Sequence, residues 1–295
     1  MSYAVHLLIV CSVFGLLSLS LNLSCGLLGL VPLWQAGLFG LGAYGTGLLL
    51  SNMAVDGSVA LLICTGFGLA AGVVAGYSLL KLRGDYFALA SFALQLILSA
   101  TYVNARSITG GPVGMGGYGS LRMCGGEVGP GMSIVLLVAA NVALALVAWR
   151  TLRSPAGRML AAMRQDDNFA VVAGANPNHY RLWASGLGGA AAAFAGALYA
   201  NYLTFVNPSL FSVDESIGVV ACVVLGGAGS PIGPVAGTLV FVLIPETLRF
   251  AGIPTAQAAN LRQILFGVGL VLLMRFRPEG LLGGTRVGYG GQSDA

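Results

Sequence analysis

The side chains that most often carry catalysis or bind metal ions are few in this sequence and far apart. Its two histidines are His6 and His179, and neither belongs to an HExxH zinc motif. A hydrolase that works within a membrane needs a nucleophile and a base at comparable depth, whereas these two histidines are expected near opposite faces. The sequence therefore predicts neither catalytic residues nor a metal site.

The sequence also lacks the motifs that bind phosphate groups. Lys81 is the only lysine, and no GxxxxGK[ST] loop of the kind that cradles nucleotide phosphates surrounds it. Two strings, at 40–45 and 114–119, match GxGxxG, but neither follows a predicted strand and opens a helix, as dinucleotide binding requires. We therefore expect this chain to bind no nucleotide and no other cofactor.

The cysteines show no CxxC pair and no metal-ligand spacing. Four lie in apolar runs, where a free cysteine behaves as a small hydrophobic side chain, and one lies in a polar loop. We expect none of the five to carry chemistry: Cys11, Cys25, Cys64, Cys124 and Cys222.

Composition points to a membrane as the solvent. Of 295 residues, 57% are hydrophobic and 8% are charged, and the mean hydropathy is +0.86. Soluble domains carry about 25% charged residues, so this chain has too few to cover a surface in water. Its net charge of +4 comes from dispersed arginines, which is unlike the clustered basic patch of a nucleic-acid-binding protein.

Apolar stretches of about 20 residues predict membrane-spanning helices. We expect an all-α integral membrane protein, a polytopic helical bundle of about eight or nine transmembrane helices in one domain over 1–295, with a short C-terminal tail at 276–295. The first span is expected to be retained, because no positively charged segment precedes it. Proline at 32, 231 and 234 marks expected breaks. The predicted spans are 4–23, 33–51, 58–79, 86–103, 132–150, 181–201, 214–229, 233–250 and 261–275.

The orientation follows from the positive residues in the connections. With spans alternating in direction, one face receives Lys81, Arg83, Arg150, Arg153, Arg158, Arg164, Arg181, Arg275, Arg277 and Arg286. The other face receives only Arg106, Arg122, Arg249 and Arg262. The richer face should be cytoplasmic, which puts the N-terminus outside and the C-terminus inside.

Small residues recur at intervals of four in three spans, where they let helix backbones approach closely. The stripes are Gly68, Gly72 and Gly76; Ser185, Gly189, Ala193 and Ala197; and Gly229, Gly233 and Gly237. We interpret them as packing surfaces of a compact bundle.

Ionisable residues deep in a span would indicate a proton or ion route. The acids Asp85, Asp214, Glu215 and Glu246 all lie near predicted span ends, which argues against a proton-coupled transporter. Three amides, Asn22, Gln95 and Asn201, are the polar side chains best placed to face a translocation path. The alternative is that they form hydrogen bonds between helices.

The segment 151–180 is a long polar connection on the face predicted to be cytoplasmic. Ser154 followed by Pro155 predicts a helix start. Asp166 or Asp167 is expected to cap a second short helix, which Gly174 and Pro177 are expected to end. The segment is either an ordinary solvated connection or a docking element for a cytoplasmic partner.

The stretch GRMLAAMRQDDNFAVVAGANPNHYRL, from Gly157, resembles the cytoplasmic loop of branched-chain amino-acid ABC transporter permeases. So do RGDYFALASFALQLIL from Arg83, LTFVNPSLFSVDESI from Leu203, VVLGGAGSPIGPVAG from Val223 and FRPEGLLG from Phe276. The resemblance covers 15–283 in one order. It departs from the family pattern at Gln165, at Ala175 and in VPLWQAGLFGLG at 31–42.

The resemblance implies that 151–180 holds a coupling helix that docks on an ATPase. The residues that match this role are Arg164, Asp166, Asp167, Ala170, Gly174 and Asn176. It also implies a single transmembrane permease domain that is not itself an enzyme, located in the bacterial inner membrane and surrounded by lipid. The implied partners are a second permease subunit, two cytoplasmic ATPase subunits that hold ATP and magnesium, and an extracytoplasmic solute-binding protein.

The implied substrates are leucine, isoleucine, valine or similar small amino acids. The alternatives that stay open are a permease for urea, short amides or sugars and, in another class, a stand-alone secondary transporter or channel. No nucleic-acid partner is expected.

Overall fold

The computed structural model describes residues 3–52, 56–82, 84–123, 126–165, 176–250, 267–269, 275 and 280–282. The helices are α1 Tyr3–Leu28, α2 Gln35–Asn52, α3 Gly57–Ser78, α4 Gly84–Asn104, α5 Arg106–Thr109, α6 Pro130–Arg153, α7 Pro155–Gln165, α8 Pro177–Leu203, α9 Val213–Gly226 and α10 Gly233–Phe250. Two 3-10 turns cover Gly111–Val113 and Pro208–Phe211, and the short strands are β1 Met115–Gly116, β2 Arg122–Met123, β3 Gly126–Glu127 and β4 Phe205–Val206.

The predicted all-α membrane class is confirmed. Each predicted span from 4–23 through 233–250 corresponds to a helix, with bounds that shift by a few residues. Five helices of the described part, α1, α3, α4, α6 and α8, are long and apolar enough to cross a membrane. The last predicted span, 261–275, lies almost wholly outside the described residues.

Two predicted boundaries were wrong. The span at 214–229 is the helix α9, which ends at Gly226 and has 14 residues. At 1.5 Å per residue it is about 21 Å long, less than the hydrocarbon thickness of about 30 Å. The span predicted at 181–201 begins earlier, because Pro177 is the first residue of α8, a position where its missing N–H costs nothing. The second short helix predicted before Pro177 lies outside the described residues.

Helix α8 forms the centre of the bundle and packs on α3 through the predicted small-residue stripes. A Cβ added at Gly68 would lie 2.3 Å from Ala193 Cβ, and one added at Gly76 would lie 2.8 Å from Ser185 Cβ. The two helices are therefore antiparallel, and their backbones touch along the stripe. Close backbone approach of this kind supplies dispersion energy where lipid removes the hydrophobic drive.

The third stripe joins α9 to α10. A Cβ at Gly237 would lie 2.0 Å from Cys222 O. Helix α10 is also tied to α1, because Ser18 Oγ and Thr238 Oγ1 are 2.8 Å apart. These contacts hold α9 against α10 and α10 against α1.

The bundle has two chemically different ends. At one end Arg181 donates to Leu80 O at 3.0 Å, beside Lys81. We call this the basic end, since α6 and α7 bring further arginines to it. The opposite end holds 105–123, 126–129 and 204–207, and we call it the loop end. Among the described connections, it holds only Arg106 and Arg122.

The loop end is built from short pairings rather than from long helices. Strand β1 pairs with β4, and β2 with β3, both antiparallel. Tyr118 donates its hydroxyl proton to Ala200 O at 3.1 Å, and burial raises the pKa of this phenol well above its usual range. The hydroxyl therefore stays protonated and holds the loop to the end of α8.

Candidate functional site

Helix α2 begins inside the bundle rather than at its surface. The amide of Gln35, its first residue, donates to Gly188 O at 3.2 Å and contacts Ser20 Oγ. Since α8 begins at Pro177, Gly188 lies about 16 Å along that helix. The segment 29–34 before α2 is therefore non-helical backbone inside the helical bundle. One of its backbone groups is bonded to a neighbouring helix, because Leu33 N donates to Ser91 Oγ of α4 at 3.0 Å.

Helix α9 also begins inside the bundle. The 3-10 turn before it buries Phe211 completely, and this ring packs edge-on against Phe39, Tyr44 and Tyr102 at 5.3 to 5.9 Å between centroids. Because α2 starts within the membrane at the same level, the amino-terminal ends of two helices meet near the centre of the protein.

One side chain, Gln95 of α4, joins these two helix starts. Its Oε1 accepts from Gly37 N at 2.7 Å, and its Nε2 donates to Phe211 O at 2.9 Å. Ser216 of α9 adds a second link, because its Oγ accepts from Ala36 N at 3.1 Å. We call the group of Ala36, Gly37, Gln95, Phe211 and Ser216 the central junction.

Non-helical backbone inside a bilayer is tolerated only where protein buries it or where it lines a cavity. In transporters, helices that start or stop at mid-membrane commonly surround the substrate, because their exposed ends offer polar groups and a dipole. The central junction has this construction. It is the place in the described bundle that best fits contact with a polar solute.

A small cavity of about 40 Å³ borders the central junction, enough room for about one water molecule. Its wall comes from four helices and is mainly aliphatic and aromatic. Its lining includes Val13, Leu17, Phe39, Tyr199, Glu215 and Val219.

A larger groove of about 320 Å³ lies between α1, α6 and α10. Its described lining includes Asn141 and Ser12 but no charged side chain, and the rest of the wall is apolar. The groove therefore offers little to a charged solute, and we place the candidate site at the smaller cavity.

The structure does not bring the three predicted path residues together. Gln95 lies at the central junction, whereas Asn22 contacts the turn after α9, where it donates to Ser230 O at 2.8 Å and accepts from Gly229 N at 2.9 Å. Asn201 lies at the loop end. Its amide accepts from Leu121 N at 2.7 Å and donates to Val128 O at 3.0 Å.

All three amides are buried, at 5% exposure or less, and both ends of each are used by hydrogen bonds between segments. This geometry matches the alternative of interhelical bonding. Their contact with a transported solute stays a prediction, to which the central position of Gln95 gives the most support.

Only part of the predicted coupling segment is described. Arg164 lies in α7, the helix that the Ser154–Pro155 pair predicted, where Gly157 N donates to Ser154 Oγ at 3.4 Å. Asn176 is the N-cap of α8, and its Oδ1 accepts from Asn178 N at 3.1 Å. The remaining four predicted residues, Asp166, Asp167, Ala170 and Gly174, lie outside the described residues.

Helix α7 is nevertheless attached to the bundle. Leu160 and Met163 are buried, at 2% and 6% exposure, and α7 packs on both α1 and α6. A force applied to the segment after α7 would therefore reach α1, which contacts α8, α9 and α10.

Sequence reasoning missed Phe211, Glu215 and Ser216. Glu215 was assigned only to the end of the span predicted at 214–229, and Phe211 and Ser216 were given no role. The available signal was the string NPSLFSVDES from Asn207, in which a turn-forming Asn-Pro pair and a Ser-x-x-Glu helix start occur together. That string fits a helix start, but it does not reveal the depth of that start in the membrane.

The family profile for the branched-chain amino acid transport system / permease component matches residues 3–274. The high-affinity branched-chain amino acid transport system permease protein LivM of Escherichia coli strain K12 is 30% identical over 298 residues, 93% of this chain and 68% of the relative. The LivM protein of Salmonella typhimurium shows the same identity and coverage.

A probable branched-chain amino acid transport permease LivM of Methanocaldococcus jannaschii is 30% identical over 237 residues, 76% of this chain and 67% of the relative. No solved structure matches the chain. The family resemblance seen in the sequence is thus confirmed, and the chain belongs to the family of branched-chain amino acid transport system permease components.

Proposed function

We propose that this chain is the permease subunit through which an ATP-driven importer moves leucine, isoleucine, valine or similar small amino acids across a bacterial inner membrane. The observation that carries the proposal is the family match over residues 3–274, which includes every helix from α1 to α10. The internal helix starts at the central junction support a transport role, since they place polar backbone within the membrane.

The energy source belongs to other subunits. The sequence has no phosphate-binding loop, so ATP and magnesium bind to two cytoplasmic ATPase subunits, and this chain catalyses no hydrolysis. The segment after α7 transmits their closure to the bundle, with Asp166, Asp167 and Gly174 at the docking surface. A ligand drives such a change only through different affinity for the two conformations.

A second permease subunit completes the membrane part, and an extracytoplasmic binding protein delivers the solute. The basic end faces the cytoplasm, as the positive-inside rule requires. The loop end, where His6 Nδ1 lies 3.0 Å from Tyr202 Oη, faces outward together with the N-terminus.

The first test is capture of ATPase subunits by detergent-solubilised chain. Wild type is compared with Gly174→Arg and with Gly119→Arg, a matched control at the loop end where an added Cβ meets nothing within 4 Å. We expect wild type and Gly119→Arg to retain the ATPase and Gly174→Arg to lose it. If wild type retains no ATPase, the importer proposal fails.

The second test is uptake by liposomes that contain the assembled importer. Leucine uptake that requires ATP and the binding protein supports the proposal. Uptake of urea, a short amide or a sugar in place of leucine would overturn the substrate class. Uptake by this chain alone, without ATPase subunits, would show a stand-alone transporter or channel instead.

A further inference from the structure

The groove between α1, α6 and α10 opens on the outer surface of the bundle. Helix α1 packs on both α6 and α10 and forms the floor of the groove with Ser12 and Gly15. Asn141 fixes α6 on this floor, because its Nδ2 donates to Ser12 O at 2.9 Å. The apolar side chains on the rim are exposed, so in a membrane the groove faces lipid. These rim residues are Leu8, Val138, Val142, Ile232 and Leu239.

A second groove of about 280 Å³ continues the first toward the basic end. The two linings share Val142, Ala145, Pro231 and Ile232. The second groove reaches Trp149, in the last part of α6. From Val138 to Trp149 the joined grooves follow α6 over about 16 Å, at 1.5 Å per residue. This length is about half of the hydrocarbon thickness of about 30 Å, which is the depth of one lipid leaflet. We call the joined grooves the lipid-facing groove.

The basic end of the lipid-facing groove carries uncompensated positive charge. Arg153 lies over the Trp149 ring, with Cζ 4.3 Å from the ring centroid. Arg150 and Arg153 are both exposed, and among the described residues neither is paired with a carboxylate. The stretch 130–165 contains four arginines and no acidic residue. A negative group at this end of the groove is therefore attracted and meets no like charge on α6 or α7.

An anionic phospholipid has the two features that this surface requires. Its acyl chain is apolar and extends through one leaflet, and arginine binds phosphate oxygens through two parallel hydrogen bonds. Tryptophan is enriched at the level of lipid headgroups, which is where Trp149 would then lie. A helix is about 10 to 12 Å wide with its side chains, so a helix from another subunit can place only side chains in grooves of about 320 and 280 Å³.

The two arginines also have a simpler interpretation. Arg150 and Arg153 lie in the last turn of α6, where positive side chains stabilise the helix dipole. They also belong to the basic end, which the positive-inside rule explains without any bound ligand. Neither role depends on the lipid-facing groove or distinguishes one lipid headgroup from another. The two interpretations can therefore be separated by experiment.

We propose that the lipid-facing groove binds one anionic phospholipid, with an acyl chain along α6 between Val138 and Trp149 and the phosphate group on Arg150 and Arg153. The bound lipid fills the space between α6 and α10 and holds both helices on α1. It is a ligand distinct from the transported solute, and its binding does not depend on which solute the protein carries.

The test is native mass spectrometry of the full-length chain in detergent, titrated with dioleoyl-phosphatidylglycerol or with dioleoyl-phosphatidylcholine. The two lipids have the same acyl chains, and only the first has a net negative charge. We expect wild type to retain one phosphatidylglycerol molecule at concentrations where phosphatidylcholine is not retained. Arg150→Gln/Arg153→Gln should weaken phosphatidylglycerol binding about 25-fold, since each arginine near an anionic lipid contributes about fivefold.

The matched control for charge is Arg106→Gln/Arg122→Gln, which removes the same net charge at the loop end and should bind phosphatidylglycerol as wild type does. The groove itself is tested with Ala145→Phe, because Ala145 lines both parts. The phenyl ring occupies the space of the acyl chain, so binding should weaken at least about tenfold. Ala143→Phe is the control on the same helix, at an exposed position, and should leave binding unchanged.

Equal retention of the two lipids by wild type would overturn the proposal, and so would equal effects of the two arginine pairs. Retention of no lipid would show that another protein segment covers the groove. If Ala145→Phe does not fold, Val142→Trp replaces it, because Val142 is exposed and lines both parts. Unchanged binding in that variant refutes the role of the groove. A wild-type dimer that either groove variant dissociates would identify the groove as an interface between two copies of the chain instead.

Discussion

The contact between α3 and α8 gives a prediction whose magnitude follows from the geometry. A Cβ added at Gly72 would lie 2.3 Å from Ser185 O and 3.1 Å from Gly189 Cα. Ordinary contact begins at 3.4 Å, so Gly72→Ala requires a movement of 3.4 − 2.3 = 1.1 Å. Both obstacles are backbone atoms of α8, and no side-chain rotation can relieve them.

Separating the two helices also loosens the neighbouring contacts at Gly68 and Gly76. Overpacking of this kind costs about 1 to 3 kcal/mol. With about 2 to 4 °C of Tm for each kcal/mol in a chain of this size, the expected decrease is about 2 to 12 °C. The assay is thermal unfolding of the detergent-solubilised protein, followed by loss of the monodisperse peak.

Gly66→Ala is the matched control, in the same helix. This glycine is exposed, and an added Cβ meets nothing within 4 Å. Alanine has the higher helix propensity, so the Tm should stay unchanged or rise slightly. Equal shifts for Gly72→Ala and Gly66→Ala would refute the claim that backbone contact along this stripe holds α3 to α8.

Two further substitutions test the loop end. Asn201→Leu leaves two buried backbone groups without a hydrogen bond, at a cost of about 1 to 3 kcal/mol each. The Tm should therefore fall, and a protease should cut the segment 105–129 sooner. The control is Asn104→Leu, at an exposed position, and equal effects of the two substitutions would contradict the bridging role of Asn201. Thr204 ends α8 with a φ of 54°, which costs a β-branched residue about 1 to 2 kcal/mol. Thr204→Gly should raise the Tm, whereas Thr204→Val should not, and a lower Tm for Thr204→Gly would show that no strain is present.

The sequence predicted several features because they depend on local or pairwise rules. The apolar stretches predicted eight of the helices, since a bilayer requires about 20 apolar residues per full span. These helices are α1, α2, α3, α4, α6, α8, α9 and α10. Ser154 and Pro155 predicted the start of α7 through the geometry of a helix amino end. The stripe at Gly68, Gly72 and Gly76 predicted a close contact, although it did not name α8 as the partner.

The candidate site was less accessible to sequence reasoning. Glu215 was assigned to a span end, because an apolar run indicates where a helix can lie but not how deep it begins. Only the folded chain shows that Phe211 is buried and that Gln95 bonds the starts of both α2 and α9. The same limit applies to Asn22 and Asn201, whose partners lie 73 or more residues away in sequence.

Composition and the distribution of Lys and Arg by themselves determined the class of this protein, its membrane helices and its predicted sidedness, because these follow from the cost of placing polar and charged groups in hydrocarbon. The order of the motifs determined the family. The tertiary structure decided which helices touch, where two of them begin within the membrane, and that a carboxylate faces a cavity there. Those properties arise from contacts between distant segments, and no single segment encodes them.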